Sequence, residues 1–122
     1  MVNATLAYQK NSIEVGDRAN LILMMYEGAL RFMSKAKEVD GVEFAKFVEK
    51  AMGVVKALIS SLDFEKGGEI ARNLFRLYDF VLWKLDNAIT SRDKSHINDA
   101  YIIMDELYKA WLTAIKNMRE AK

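Results

Sequence analysis

The chain predicts an all-α fold, an antiparallel up-down-up-down four-helix bundle with a short N-terminal arm or cap, on three observations. Apolar residues recur at helical spacing over four long stretches. Proline is absent, so no residue forces a break inside a helix. The connections between stretches are a few residues long, which makes consecutive helices antiparallel neighbours. With 122 residues, 52% of them hydrophobic, the sequence supplies one domain, 1–122, with a single core.

Residues 1–16 form the arm, too short to fold alone, and it carries Leu6, Tyr8 and Ile13. The first helix is expected over about 17–39, with Asp17 as its N-cap and Gly41 beyond its last turn. Its inner face is Leu21, Ile22, Met25, Tyr26, Ala29, Phe32, Met33 and Ala36. The second covers about 41–62, and Asp40 with Glu43 has the spacing of a capping box. Its stripe runs from Phe44 through Val48, Ala51, Val55 and Leu58 to Leu62 and is wider than a coiled-coil seam.

A polar break from Asp63 to Gly68 precedes the third helix, about 69–91. There Ile70, Leu74, Leu77, Tyr78, Val81, Leu85 and Ala88 face inward. Ser95 caps the fourth, about 96–119, whose inner face is Ala100, Ile103, Met104, Leu107, Tyr108, Trp111, Ala114, Ile115 and Met118.

Composition removes several function classes. Eighteen basic residues against seventeen acidic ones give a net charge of +1, without the basic patch that nucleic-acid binding needs. No cysteine means no disulfide framework and no thiolate chemistry, which suits a reducing cytosol. The first residues lack the pattern of a secretory signal, and the longest apolar run, Leu21 to Tyr26, is six residues, far below the ~20 that span a bilayer. The chain reads as cytoplasmic, without membrane insertion.

Chemistry is equally sparse. A di-iron bundle needs two Glu-x-x-His pairs, whereas this chain has a single histidine, His96, read as a solvated residue near a helix start. Gly67-Gly68 lacks the strand and the lysine of a phosphate loop and reads as a turn between helices. No serine sits in a nucleophile elbow, and Asp105 with Glu106 lies on a solvated face. No catalytic residue, metal ligand or cofactor site is expected.

The surplus is apolar. Leu23 and Leu30 flank the core face of the first helix, Phe80 and Trp83 point away from that of the third, and Ile102 lies opposite the stripe of the fourth. Extra apolar residues on three helices point to a groove for another chain. These five and Tyr8 are the candidate partner-binding residues.

Several segments in order resemble one family: Ala7-Tyr8-Gln9; Leu21-Ile22, then Met24-Met25-Tyr26-Glu27-Gly28-Ala29; Leu62-Asp63, then Glu65-Lys66-Gly67-Gly68-Glu69-Ile70-Ala71; Leu77-Tyr78-Asp79; and Ala110-Trp111. Together they are similar to the FliS family of flagellar secretion chaperones, and the segment from Leu62 to Ala71 is the most specific. The resemblance implies a helical bundle that binds the disordered C-terminal segment of flagellin in the bacterial cytosol. It implies that the chaperone prevents premature polymerisation and delivers its client to the export gate of the flagellar type III apparatus. It further implies that the arm covers a pocket that client residues later occupy, where Tyr8 is read as a removable plug, the alternative being a permanently docked tyrosine that stabilises the bundle. One departure is that a proline common at the start of the first helix is replaced here by the run Val15-Gly16-Asp17. The competing reading is a helical interaction module that forms homo-oligomers, such as a homodimer, through the same apolar flanks.

Overall fold

The computed structural model describes the backbone of residues 2–120 and the side-chain surroundings of residues 16–120. It is all-helical: α1 (Val2–Glu38), α2 (Gly41–Ser60), α3 (Phe64–Ser91) and α4 (Ser95–Glu120), with no strand among the described residues. Each helix packs on two others, α1 and α3 both against α2 and α4, so the four close into a ring with α1 diagonal to α3. That is the up-down-up-down bundle expected from the periodicity.

Small residues set the spacing at the centre. Ala29, Ala36, Ala51, Ala88 and Ala100 are all fully buried, so the helices approach closely and larger side chains interdigitate between them. Met33, Val48, Val55, Val81, Leu85 and Met104 fill those gaps with no exposed surface.

Four local expectations are corrected. First, Asp17 is an exposed residue inside α1 and no N-cap, because a lone Gly16 costs a helix only about 1 kcal/mol; the packing of the arm, residues 1–15, lies outside the described side chains. Second, Asp40 holds the N-cap backbone position of α2 but makes no side-chain cap bond. Its carboxylate pairs instead with Lys94 at 2.8 Å, and Lys94 also donates to the Lys37 carbonyl at 3.2 Å. One lysine thereby ties the α3–α4 connection to the α1–α2 connection. Third, the cap of α4 is Asp93, whose Oδ1 accepts from the Ser95 N–H at 2.9 Å. Fourth, His96 is half-buried, with Nδ1 closed off from solvent and without a hydrogen-bond partner among the described residues.

Rotation of the helices differs slightly from the periodic reading. Leu30 turns into the core, where Ala71 and Ile97 are buried too. Leu21, Ile70, Leu77, Ala114 and Met118 are exposed, although each was placed on an inner face. All but Leu77 lie toward the end of the bundle where α2 hands over to α3, where a residue on the inner stripe has fewer neighbours to cover it.

Candidate functional site

The polar break from Asp63 to Gly68 is a capped and kinked helix start, beginning five residues earlier than the periodicity indicates. Asp63 Oδ1 accepts from the N–H groups of Glu65 and Lys66, both at 3.0 Å, which fixes one turn of α3. At Gly68 the backbone turns to φ 51°, ψ −122°, a conformation open in practice only to glycine, and the helix axis kinks there. Gly67 is needed for a different reason, since a Cβ at that position would lie 2.8 Å from the Cβ of Ala71. The two glycines therefore let the first turn of α3 fold over the end of the bundle.

Beneath this turn is a cavity of about 210 Å³. Ile22 of α1, Leu58 of α2, Leu74 and Tyr78 of α3, and Trp111 of α4 line it, with Ser61 and Asp63 also on its wall. Tyr26 and Tyr78 are joined hydroxyl to hydroxyl, and the Trp111 indole donates to the Tyr26 oxygen at 3.1 Å. Burial pushes the Tyr26 phenol well above the ordinary tyrosine range and raises that of Tyr78, so both keep their protons at physiological pH. Beside them Tyr108 donates to Glu27 Oε1 at 2.6 Å, a bond that holds its hydroxyl proton and raises its pKa.

These are among the residues on which the family resemblance rests. Tyr26 and Glu27, the Asp63 to Gly68 turn, Tyr78 and Trp111 come from distant parts of the chain and meet at one end of the bundle.

The six residues singled out as partner-binding do not meet at that point. Tyr8 lies outside the residues whose side chains the structure describes. Leu23 is half-buried, and Leu30 is 8% exposed and belongs to the core, which corrects its placement on a free flank. Phe80 and Trp83 are exposed and stack with ring centroids 5.9 Å apart. Lys84 lies over both rings, 5.7 and 5.5 Å from their centroids, and bonds Asp99 of α4 at 3.0 Å. Ile102 is exposed three residues beyond Asp99, so register brings it level with Phe80 across the α3–α4 seam. Phe80 and Trp83 thus form an outer aromatic plate beside that seam, with Ile102 exposed on α4.

A second apolar surface went unnoticed in the sequence. Leu21, Met24, Met25, Gly28 and Phe32 of α1 face Gly53, Val54 and Ala57 of α2 across an open groove of about 620 Å³. Leu21 and Met24 are more than half exposed. The readable signal was a glycine in the middle of each helix, Gly28 and Gly53, beside a methionine opposite the core face. With no side chain at either glycine, the groove stays open.

Comparison with known proteins gives this geometry its context. The profile of the family described as "Flagellar protein FliS" matches residues 1–118. The chain belongs to the FliS family. It is 34% identical to the flagellar secretion chaperone FliS of Campylobacter jejuni, over 86% of this chain and 85% of that protein. To FliS of Vibrio cholerae it is 37% identical, over 86% and 83%. To the flagellar secretion chaperone FliSB of Pseudomonas aeruginosa it is 31% identical, over 90% and 94%. The FliS match thus extends across all four helices and includes the kinked turn. No helix among the described residues is long and apolar enough to cross a membrane, and no cluster of residues suited to a metal ion occurs among them.

Proposed function

We propose that this chain is a non-enzymatic flagellar secretion chaperone of the bacterial cytosol that holds the disordered C-terminal segment of flagellin. In this role it keeps the segment from polymerising and passes it to the flagellar export gate. The observation that carries the reading is the full-length match to FliS in a bundle whose family-specific residues build one socket. The exposed apolar surface supplies the rest. A segment that is disordered alone and amphipathic when bound needs substitute apolar area, and a groove between two helices accepts the apolar face of a third. The α1–α2 groove and the α3–α4 plate lie on opposite faces of the ring, so a client covering both wraps the bundle.

The test is a pull-down with this chain as bait, offered full-length flagellin and flagellin lacking its C-terminal segment. Only the full-length protein is expected to be retained. Equal retention of both, or of neither, sinks the proposal. A second copy of this chain would compete for the same plate. Light scattering with and without the flagellin segment reads that competition, and a dimer indifferent to the segment would favour self-association as the main role.

A further inference from the structure

The hydrogen bonds at the kinked end of α3 do not balance. Trp111 and the hydroxyls of Tyr26 and Tyr78 bring three protons to two oxygens. The indole N–H goes to Tyr26 at 3.1 Å. A single proton occupies the bond between the two hydroxyls. Whichever ring donates, one O–H is left with no acceptor among the described residues.

The enclosure of the two rings decides which proton that is. Tyr26 has no exposed surface and is not among the residues that line the 210 Å³ socket, whereas Tyr78, 2% exposed, lines it. A buried donor without a partner costs about 1–3 kcal/mol, so the favoured arrangement has Tyr26 donating to Tyr78 and Tyr78 turning its own proton toward the cavity.

Elsewhere on the same wall the polar groups are acceptors. Ser61 Oγ gives its proton to the Leu58 carbonyl at 2.7 Å, so its remaining lone pairs are what it offers a ligand. Asp63 Oδ1 is occupied by two backbone N–H groups, and Oδ2 has no partner among the described residues. The remaining surface is aliphatic, chiefly Ile22, Leu62 and Leu74. A cavity of this size takes one side chain and excludes a helix.

We infer that the socket recognises a side-chain carboxamide, glutamine or asparagine, on the bound segment. The carboxamide oxygen accepts from Tyr78, and the amide N–H₂ donates to Ser61 or Asp63. A carboxylate would meet the charge of Asp63. An ammonium offers no acceptor, and an aliphatic side chain leaves the Tyr78 proton stranded. The inference rests on the proposed function only for which segment enters the socket.

The probe is butyramide, which carries a carboxamide on a short apolar stem. It is titrated into ¹⁵N-labelled protein while the indole N–H signal of Trp111 is followed. Wild type is expected to bind it with a saturable shift of that signal. Tyr78→Phe is expected to bind about fivefold more weakly, the size of one hydrogen bond. Should Tyr78→Phe fail to fold, 1-chlorobutane on the wild type gives the same contrast, because it matches the stem, is uncharged and lacks a strong acceptor. Equal binding of the two probes, equal binding by Tyr78→Phe, or no butyramide binding at Trp111 overturns the inference. Competition separates it from the proposed function. Butyramide binding that a flagellin C-terminal peptide cannot displace leaves the socket standing and removes flagellin as its source. A peptide that binds without any effect of Tyr78→Phe does the reverse.

Discussion

Tyr78 and Trp83 stand five residues apart on α3, and they show two ways in which a helix can offer an aromatic ring to a partner. Tyr78 is closed into the bundle with its hydroxyl bonded to Tyr26 and its edge on a small cavity. Trp83 stacks on Phe80 in the open, held by the cation of Lys84. The socket is rigid and directional, and it can choose among side chains by their hydrogen bonds. The plate offers area without direction and suits any apolar face. A chaperone that must be selective yet release its client benefits from a selective point beside a permissive surface.

Leu30 tests where the boundary between the two kinds of surface lies. By periodicity it belongs with the open flanks, and by burial it belongs to the core. Leu30→Ala is expected to lower stability by about 2–5 kcal/mol, as cavity-forming leucine substitutions do. Chemical denaturation checks this. A loss below about 0.5 kcal/mol with weaker flagellin binding would return Leu30 to the partner surface.

The misplacement of Leu30 shows what was legible in the sequence. Four helices, their order and the identity of most buried residues follow from apolar spacing, because a 3.6-residue repeat needs only local information. Rotation about each helix axis does not, since a one-position error swings a side chain by about 100°. Leu30 and Leu77 are such cases. The start of α3 was missed because the Gly68 kink interrupts the apolar repeat while the hydrogen-bonded turn continues back to Asp63. Tyr26, Tyr78 and Trp111 were read as core residues, which they are in position. Their shared hydrogen bonds span 52 and 85 residues of sequence and exist only once the ring of helices has closed. Family resemblance marked these residues without saying what they do together.

Alkaline titration distinguishes the two regions without any client. Burial raises the Tyr26 and Tyr78 pKa values in the folded state, so the native protein holds those protons more tightly than the unfolded chain does. Their contribution is therefore complete below the unfolded tyrosine value of about 10 and is lost as pH rises above it. Each buried phenol is expected to steepen the loss by up to about 1.4 kcal/mol per pH unit. Urea unfolding from pH 8 to pH 11 should show Tyr26→Phe with a visibly shallower decline than wild type. Trp83→Ala should leave the slope unchanged, because the plate contains no ionising ring. Identical slopes for wild type and Tyr26→Phe would mean that the cluster admits water.

The smallest expected effect on stability is that of Trp83→Ala itself. Trp83 is 57% exposed, so its ring has little surface to lose on unfolding. Its defined partners are Phe80 and Lys84, and Lys84 retains the Asp99 carboxylate without it. Surface substitutions of this kind fall within about 0.5 kcal/mol. Binding responds differently, because an exposed tryptophan at the centre of an interface commonly carries 2 kcal/mol or more. Trp83→Ala is therefore expected to leave the melting temperature within a few degrees while weakening flagellin-segment affinity about tenfold or more, read by titration calorimetry. Tyr78→Phe would weaken the same complex by only about fivefold, the size of its hydrogen bond. If Trp83→Ala binds the segment as wild type does, the α3–α4 plate is ordinary surface. The client would then be held by the socket and the α1–α2 groove, and selectivity and area would reside at the same end of the bundle.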